Sequence, residues 1–500
     1  LQDKPVFSHR LFFIHTPMKN PIEYLSYRAR YNADAVALVF GGRILSFSDL
    51  MGAVRNCAAR LRRQGVCSGQ TISIYITDPV LHWVLTLAVM HEGAASCSAH
   101  PNYDPMPPGM PLDVYVTDRM TPFMSRTPVV QVDANWLTES FSGAQDILPN
   151  AFGGPDAFVR IVASSGTTGE AKAIPLTFQM SRERIWSASG TELSGPMLSM
   201  MTVSTIGGYQ SALNCIVKGK PLVFAFTPLA VERSIELTGV TNLLASPVQL
   251  GALVQHLEGR TTRLFSLKSL AFAGAVMPKS LAQRIRARLL PSLEGVYGST
   301  EAGMVTAASP LMLEKYSGCA GLVVPGAEVE LVDENGTPVP EGQDGSIRIR
   351  TLGMATEYLG DPEGTQEAFR DGWFYPGDRG RFVDGGVLLI TGRDAELINL
   401  GGSKVNPVII DEFLADQPGI RDAAAFSISG TDGLPQIWAA VVVDHEIDVG
   451  QLLATARKQF GAKAPSRIFA IDSVVRNVMG KTQREQVRDK VLAQIRSTSH

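Results

Sequence analysis

The sequence has little of what disulfide, metal or membrane proteins are built from. Of 500 residues five are cysteine. They stand far apart, at Cys57, Cys67, Cys97, Cys215 and Cys319, and no two form a C-x-x-C. That excludes a disulfide framework and a thiolate zinc site, and fits the reducing cytoplasm. Eight histidines show no H-E-x-x-H or similar ligand spacing. No apolar run is long enough to span a bilayer. The longest candidate, Val84 to Met90, is bounded by His82 and Glu92 and reads as a buried helix or strand. Leu1 to His15 carry Lys4 and Arg10 but no sustained apolar core or small-residue cleavage site, so no signal peptide is read there. The chain opens on Leu1 rather than Met, which leaves open whether residues precede it. Net charge is −3 with no long run of one sign, so nothing suggests a nucleic-acid surface or a polybasic membrane surface.

What is present is an ordinary globular composition, 45% hydrophobic and 19% charged, on a chain too long for one core. Residues 21–100 alternate strand and helix. Ala35 to Phe40 is an apolar run of strand length ended by Gly41-Gly42. A helix capped by Ser46 or Ser48 follows, with Leu50, Val54, Ala58 and Leu61 on one face and Gly65 as its stop. Thr71 to Ile76 alternates as a half-buried strand, and a helix carries Trp83 to His91. This is the rhythm of a parallel or mixed sheet with helices on its faces. Residues 101–125, rich in Pro, Met and Asp, read as irregular connection. Helix–strand units resume at 179–189, 209–217, 222–226, 243–246, 248–257 and 269–274. Beyond 320 short strands with Gly/Asp/Asn turns read as a β-rich subdomain. After about 392 helix 407–415, strands 422–429 and 437–443, helix 449–459 and helix 482–495 form a compact α+β unit. The expected domains are therefore 1–392, with the β-rich part about 320–392, and 393–500.

One loop organises the chain. Ser164-Ser165-Gly166-Thr167-Thr168-Gly169-Glu170-Ala171-Lys172 lies between two strand-like runs. Glycines let backbone N–H groups approach an anion, hydroxyls add donors, and Lys172 adds a point charge. It is either a phosphate-holding loop or a solvated hairpin loop, and it is not a Walker A, since G-x-x-x-x-G-K-[ST] cannot be laid over it. Five more stretches carry chemistry. Tyr297-Gly298-Ser299-Thr300-Glu301 joins a face that can stack a purine to a carboxylate that can hold a hard cation. Tyr375-Pro376-Gly377-Asp378 presents one carboxylate on a rigid turn, suited to ribose hydroxyls. Gly392-Arg393-Asp394-Ala395 leads to Gly401-Gly402-Ser403-Lys404. Asn477 to Arg484 sets Lys481 after a glycine, ahead of the last helix. Ala273-Gly274-Ala275 would let a base edge meet the backbone. Taken singly, each also reads as an ordinary turn, linker or surface lysine.

Together, in this order and spacing, these stretches resemble the adenylate-forming superfamily of acyl-CoA synthetases, peptide-synthetase adenylation domains and luciferases. The resemblance runs from the Ala35–Gly42 strand and turn to Lys481. It implies an α/β fold: a large N-terminal domain of layered sheets and helices, and a small mobile C-terminal α+β domain. It implies that the Ser164–Lys172 loop holds the β- and γ-phosphates of ATP, that Gly274 and Ala275 border the adenine, and that Tyr297, beside Gly298, stacks on it. Thr300 would contact the α-phosphate, Glu301 would bind Mg2+, Asp378 would bind the ribose with Arg393 assisting, and Lys481 would be the catalytic lysine. Three features depart from the family pattern. The pivot position two after the Arg is Ala395 rather than Asp or Lys. The Pro-x-Glu after the hinge reads Pro407-Val408-Ile409. The stretch that often carries an aromatic or His gate reads Val203–Tyr209, with Thr205 and Tyr209.

The expected reaction is attack of a carboxylate on the α-phosphate of ATP, release of pyrophosphate, and transfer of the acyl group to a thiol. The thiol is that of coenzyme A or of the phosphopantetheine arm of a separate acyl carrier protein. A nucleotide-binding protein without catalysis is the alternative from another class. The stretches expected to line the acid pocket include Thr205, Gly208, Tyr209, Ser246 and Met304. They offer small, apolar and hydroxyl side chains and no fixed cation. A small-molecule aliphatic or aromatic monocarboxylic acid is therefore expected, with neither nucleic acid nor membrane as partner.

Overall fold

The computed structural model describes residues 20–98, 109–119, 124, 127–138, 154–165, 171–187, 193–261, 264–289, 292–400, 403–429, 435–445, 447–476 and 482–498. The chain divides into two compact units. One runs to Ser164 and takes in 171–191 and 202–224; the other holds 165–170, 192–201 and everything from Ala225 onward.

In the first unit a six-stranded sheet has the order Val129–Gln131, Val114–Thr117, Thr71–Tyr75, Ala95–Ser98, Phe158–Ser165, Ala171–Thr177. The pairings from Val129–Gln131 across to Phe158–Ser165 are parallel. The Phe47–Arg63 helix starts where the sequence places it. Ser46 caps it in a capping box with Asp49, and its basic last turn ends ahead of Gly65. The apolar run around Val84 lies in the Pro79–His91 helix, which is buried on every face, as a helix enclosed on all sides must be. The Val36–Phe40 strand turns back through Gly41-Gly42 to Arg43–Ser46 and pairs in parallel with Leu222–Phe224. One expectation is corrected. Val114–Thr117, placed by composition in an irregular connection, is a fully buried strand beside Thr71–Tyr75. Four β-branched or aromatic residues suffice for a central strand, and the Pro-rich residues on the N-terminal side masked them.

In the second unit Met197–Ser199, Asn242–Ala245, Ser269–Ala273 and Leu293–Ser299 pair in parallel. The sheet turns antiparallel at Gly303–Ala308 and continues through Cys319–Val323, Val387–Arg393, Asp378–Val383 and Gly345–Thr351. Ala327–Val332 pairs with Gly345–Thr351, which gives the β-rich texture read beyond 320. The last part folds as Ile420–Ser429 against Pro435–Val443, with Arg467–Ala470 parallel outside. Alternate residues of these strands feed two cores. Ala423, Ala425, Ile437 and Val441 face Ile410 and Leu414 of the Pro407–Ala415 helix. Ala424, Phe426, Ala440 and Val442 face Val487 and Val491 of the Arg484–Thr498 helix. The period of two puts every second residue on one face.

Candidate nucleotide and acid site

The best-defined cluster joins three residues far apart in sequence. Asp378 opens one strand, Arg393 ends the next, and the antiparallel register sets them opposite each other. Arg393 Nε donates to Asp378 Oδ1 at 2.8 Å, and Tyr297 Oη donates to Asp378 Oδ2 at 2.8 Å. Each carboxylate oxygen thus has one fixed partner, and each keeps further acceptor capacity. Burial, then the Asp378 carboxylate, pushes the Tyr297 phenol well above its ordinary pKa, so it stays a donor. Two glycines make the geometry possible. A Cβ on Gly298 would stand 2.1 Å from the Gly303 carbonyl oxygen. Gly392 has φ of +148°, and a Cβ there would meet Asn406 Nδ2 at 2.4 Å.

Glu301 follows on the same strand–turn. It is 8% exposed, and its Oε1 accepts from Tyr358 Oη at 2.9 Å. Its carbonyl accepts from the Ala355 amide at 2.8 Å. Burial and the Glu301 charge raise the Tyr358 phenol, which fixes it as the donor. Nothing in the sequence pointed to Tyr358, because the 57-residue separation leaves no spacing signal. Among the described residues no three His, Cys, Asp or Glu side chains cluster as a metal cage. One buried carboxylate with acceptor capacity fits Mg2+ held jointly with nucleotide phosphates, the usual mode for that ion. Thr300 is half-buried in the turn before Glu301, and Met304 pairs across the hairpin with Gly298. Gly274 and Ala275 follow the Ser269–Ala273 strand.

Ser246 caps the Pro247–Leu257 helix in a capping box with Gln249, whose Nε2 reaches the Met200 carbonyl at 2.8 Å. In the other unit Thr205 caps the Ile206–Lys218 helix, its hydroxyl accepting from the Gly208 amide at 3.2 Å. Tyr209, 1% exposed, packs edge-on to Trp83 with centroids 6.1 Å apart. Ser164 and Ser165 end one strand and Lys172 lies at the start of the next. Gly166, Thr167, Thr168, Gly169 and Lys481 lie outside the described residues, as do the side chains of Ser164 and Ser165.

The turn after Arg393 shows a division of anchors that no motif announced. Asp394 accepts from Ser346 Oγ at 3.1 Å and Arg379 Nη1 at 3.1 Å, both on the β-rich strands. Glu396, two residues on, pairs with Arg484 of the last helix at 3.2 Å. Arg484 also holds Asp411 at 2.8 Å and the Ala425 carbonyl at 2.7 Å. Ala395 is the single residue between the two sets of anchors.

A parallel sheet that turns antiparallel beside a carboxylate–arginine–tyrosine triad, with a second buried carboxylate nearby, offers acceptors suited to hydroxyl groups and a hard cation. Comparison with known proteins narrows the possibilities. The model of the AMP-binding enzyme family matches residues 118–359. The chain is 28% identical over 486 residues to a feruloyl-CoA synthase of Amycolatopsis sp, covering 92% of this chain and 97% of that one. It is 25% identical to a 4-chlorobenzoate–CoA ligase of Arthrobacter sp, covering 94% and 95%. Its fold matches o-succinylbenzoate coenzyme A synthetase of Bacillus subtilis in complex with AMP, at a TM-score of 0.82 and 21% identity over 93% of this chain and 98% of that one. ATP-bound MatB of Rhodopseudomonas palustris gives 0.84 and 22% over 94% and 98%. Residues 118–359 thus match the AMP-binding enzyme family, and the chain is similar over nearly its whole length to CoA ligases.

Proposed function

We propose that the chain is an AMP-forming acid–thiol ligase, joining a carboxylic acid to coenzyme A through an acyl-adenylate. The observation that carries this is the Tyr297–Asp378–Arg393 triad in a chain similar along nearly its whole length to CoA ligases. The triad presents charge-balanced acceptors, suited to the two neutral hydroxyls of a ribose. Tyr297 is held by its hydroxyl, which leaves its ring face to the adenine between Gly274 and Ala275. Thr300 contacts the α-phosphate. The Ser164–Lys172 loop holds the phosphates that leave as pyrophosphate. Mg2+, bound by Glu301 and phosphate oxygens, would offset charge on the nucleotide. Glu301 is oriented for that by Tyr358. Lys481 bridges the acid carboxylate and the α-phosphate, where two anions must meet.

The segment from Arg393 onward acts as a lid. Asp394 keeps to the β-rich strands and Glu396 travels with the last helix, so rotation falls on the backbone of Ala395. This accounts for a pivot without the family's usual charged side chain, since the charges stand on either side of it.

Thr205, Gly208, Tyr209, Ser246 and Met304 are proposed to border the acid. Relatives named for ferulate, indoleacetate and 4-chlorobenzoate favour an aromatic monocarboxylic acid. Coenzyme A is favoured as acceptor by the same names; a separate carrier protein is the second acceptor to test. No helix among the described residues is long and apolar enough to cross a membrane. With the dispersed cysteines, that supports a cytoplasmic enzyme.

The test is pyrophosphate release with ATP, Mg2+ and ferulate, 4-chlorobenzoate, indoleacetate, hexanoate or malonate, followed by thioester formation with coenzyme A or a carrier protein. Release with an aromatic acid and thioester on coenzyme A is expected. Absence of release with every acid would sink the reading, and preference for malonate would sink the choice of acid.

A further inference from the structure

The Ile206–Lys218 helix is held at both ends by arginines from other elements. At its C-terminal end Arg28 donates to the carbonyls of Ile216 at 3.4 Å and Val217 at 2.5 Å. That is where orphan carbonyls and the helix dipole favour a cation. At the N-terminal end sits Arg160, and there the dipole opposes a cation. Arg160 lies on the Phe158–Ser165 strand and is 0% exposed. Nη1 donates to Ser96 Oγ at 3.2 Å, and Nη2 donates to Ser98 Oγ at 2.5 Å and to the Val203 carbonyl at 3.0 Å. The guanidinium carbon stands 5.2 Å from the Tyr209 ring centroid. Nε has no partner, and no carboxylate among the described residues pairs with the group.

The neighbours supply no counter-charge. His82 Nε2 lies 2.7 Å from Ser98 Oγ, but burial and the Arg160 cation push its pKa down to about 3, so the ring is neutral. Burial pushes the Tyr209 phenol up to about 12, against the pull of Arg160 and Arg184, so it too is neutral. Burying a cation without a partner charge is costly in itself, and packing alone does not explain it. What Arg160 adds is placement and field. It fixes the Val203 carbonyl two residues ahead of the Thr205 cap and the Tyr209 ring one turn into the helix. It also adds positive charge beneath a helix end whose N–H groups already favour anions.

We infer that Arg160 is a positioning residue for the acid: it sets the first turn of the Ile206–Lys218 helix and draws the incoming carboxylate toward it. The inference rests on the proposal that Thr205 and Gly208 border the acid. It also alters the expectation that this region holds no fixed cation, since the cation comes from a strand that the pocket stretches did not include.

The test measures pyrophosphate release with acid varied at saturating ATP, and ATP varied at saturating acid. The variants are Arg160→Met, Arg160→Lys, Ser98→Ala and Gly208→Val. The KM for the acid should rise about tenfold in Arg160→Met, the scale of a lost hydrogen bond to a charged group. Arg160→Lys should recover part of this, and Ser98→Ala should give about a two- to threefold rise. The KM for ATP should stay within about twofold throughout. Ser98→Ala keeps the arginine, so it answers even where Arg160→Met does not fold. Gly208→Val checks the underlying placement by itself and should shift both the acid KM and the preference between hexanoate and ferulate. If Gly208→Val does so while the Arg160 and Ser98 variants leave the acid KM unchanged, or raise both KM values alike, the role of Arg160 is overturned and the acid placement stands. If Gly208→Val moves neither, the placement fails and the inference goes with it.

Discussion

Two buried polar clusters in this protein are built on opposite principles. In the Tyr297–Asp378–Arg393 cluster the chain supplies both signs of charge, and each carboxylate oxygen has a partner at 2.8 Å. In the Arg160 cluster the chain supplies a cation and only neutral acceptors: two serine hydroxyls and a carbonyl. The first has its charge settled before any ligand arrives, and what it offers is hydrogen-bonding capacity, matched to neutral hydroxyls. The second keeps an unspent positive field, matched to an anion. Nucleotide and acid would therefore be recognised by different physics, and the two sites should respond differently to salt, pH and substitution.

The largest effect should come from outside both clusters and serves to calibrate them. Lys481→Ala should lower adenylate formation by about 10²–10³-fold, the scale of removing one preorganised charge from a transition state. Thioester formation from supplied acyl-adenylate should largely survive, and equal loss in both half-reactions would contradict the assigned role. Next comes the cost of unbalancing each cluster. Arg393→Met leaves Asp378 without its cation and should cost about 3 kcal/mol in urea unfolding, whereas Arg160→Met strands no acid and should cost about 1–2 kcal/mol. Equal costs would erase the distinction drawn above. A third test uses pH. His82 is held neutral in the fold, with its pKa lowered to about 3 against an ordinary 6.5. Below about pH 6.5 the unfolded chain binds a proton that the folded chain refuses. The His82 contribution to stability is therefore full above that pH and falls by about 1.4 kcal/mol per unit as pH drops from there toward 3. His82→Gln should flatten that slope in denaturation curves taken between pH 6.5 and 4.5; an unchanged slope would show that the ring is not held neutral. The smallest effect is expected for Tyr297→Phe. Loss of one hydrogen bond to a carboxylate that keeps Arg393 should raise the KM for ATP about fivefold, with the acid KM unchanged.

The sequence was legible where chemistry is local and opaque where it is assembled across distance. The Ser46 cap, the Gly41-Gly42 turn and the helices at 247–257 and 407–415 announce themselves through residues a few positions apart. Asp378 and Arg393 were joined through the family resemblance alone, since their pairing depends on strand register, which no local pattern specifies. Tyr358 was invisible because it lies in the loop between the Gly345–Thr351 strand and the Pro362–Ala368 helix, 57 residues from its partner. Arg160 was hidden for another reason. An arginine inside an apolar strand run reads as one more alternating polar position, and only burial on both faces of the sheet reveals it as enclosed. The Val114–Thr117 strand was missed through its company, four good strand residues set beside a Pro-rich stretch.

The close approach at Gly298 has a consequence for anyone who would redesign the enzyme. With the Gly303 carbonyl 2.1 Å from where a Cβ would stand, position 298 admits no side chain without moving a hairpin. A library aimed at acid preference gains nothing by randomising it. Diversity is better spent on Met304, its partner across the hairpin and a residue proposed above to border the acid, where side-chain length can change while the main chain that holds Tyr297 and Glu301 stays in place.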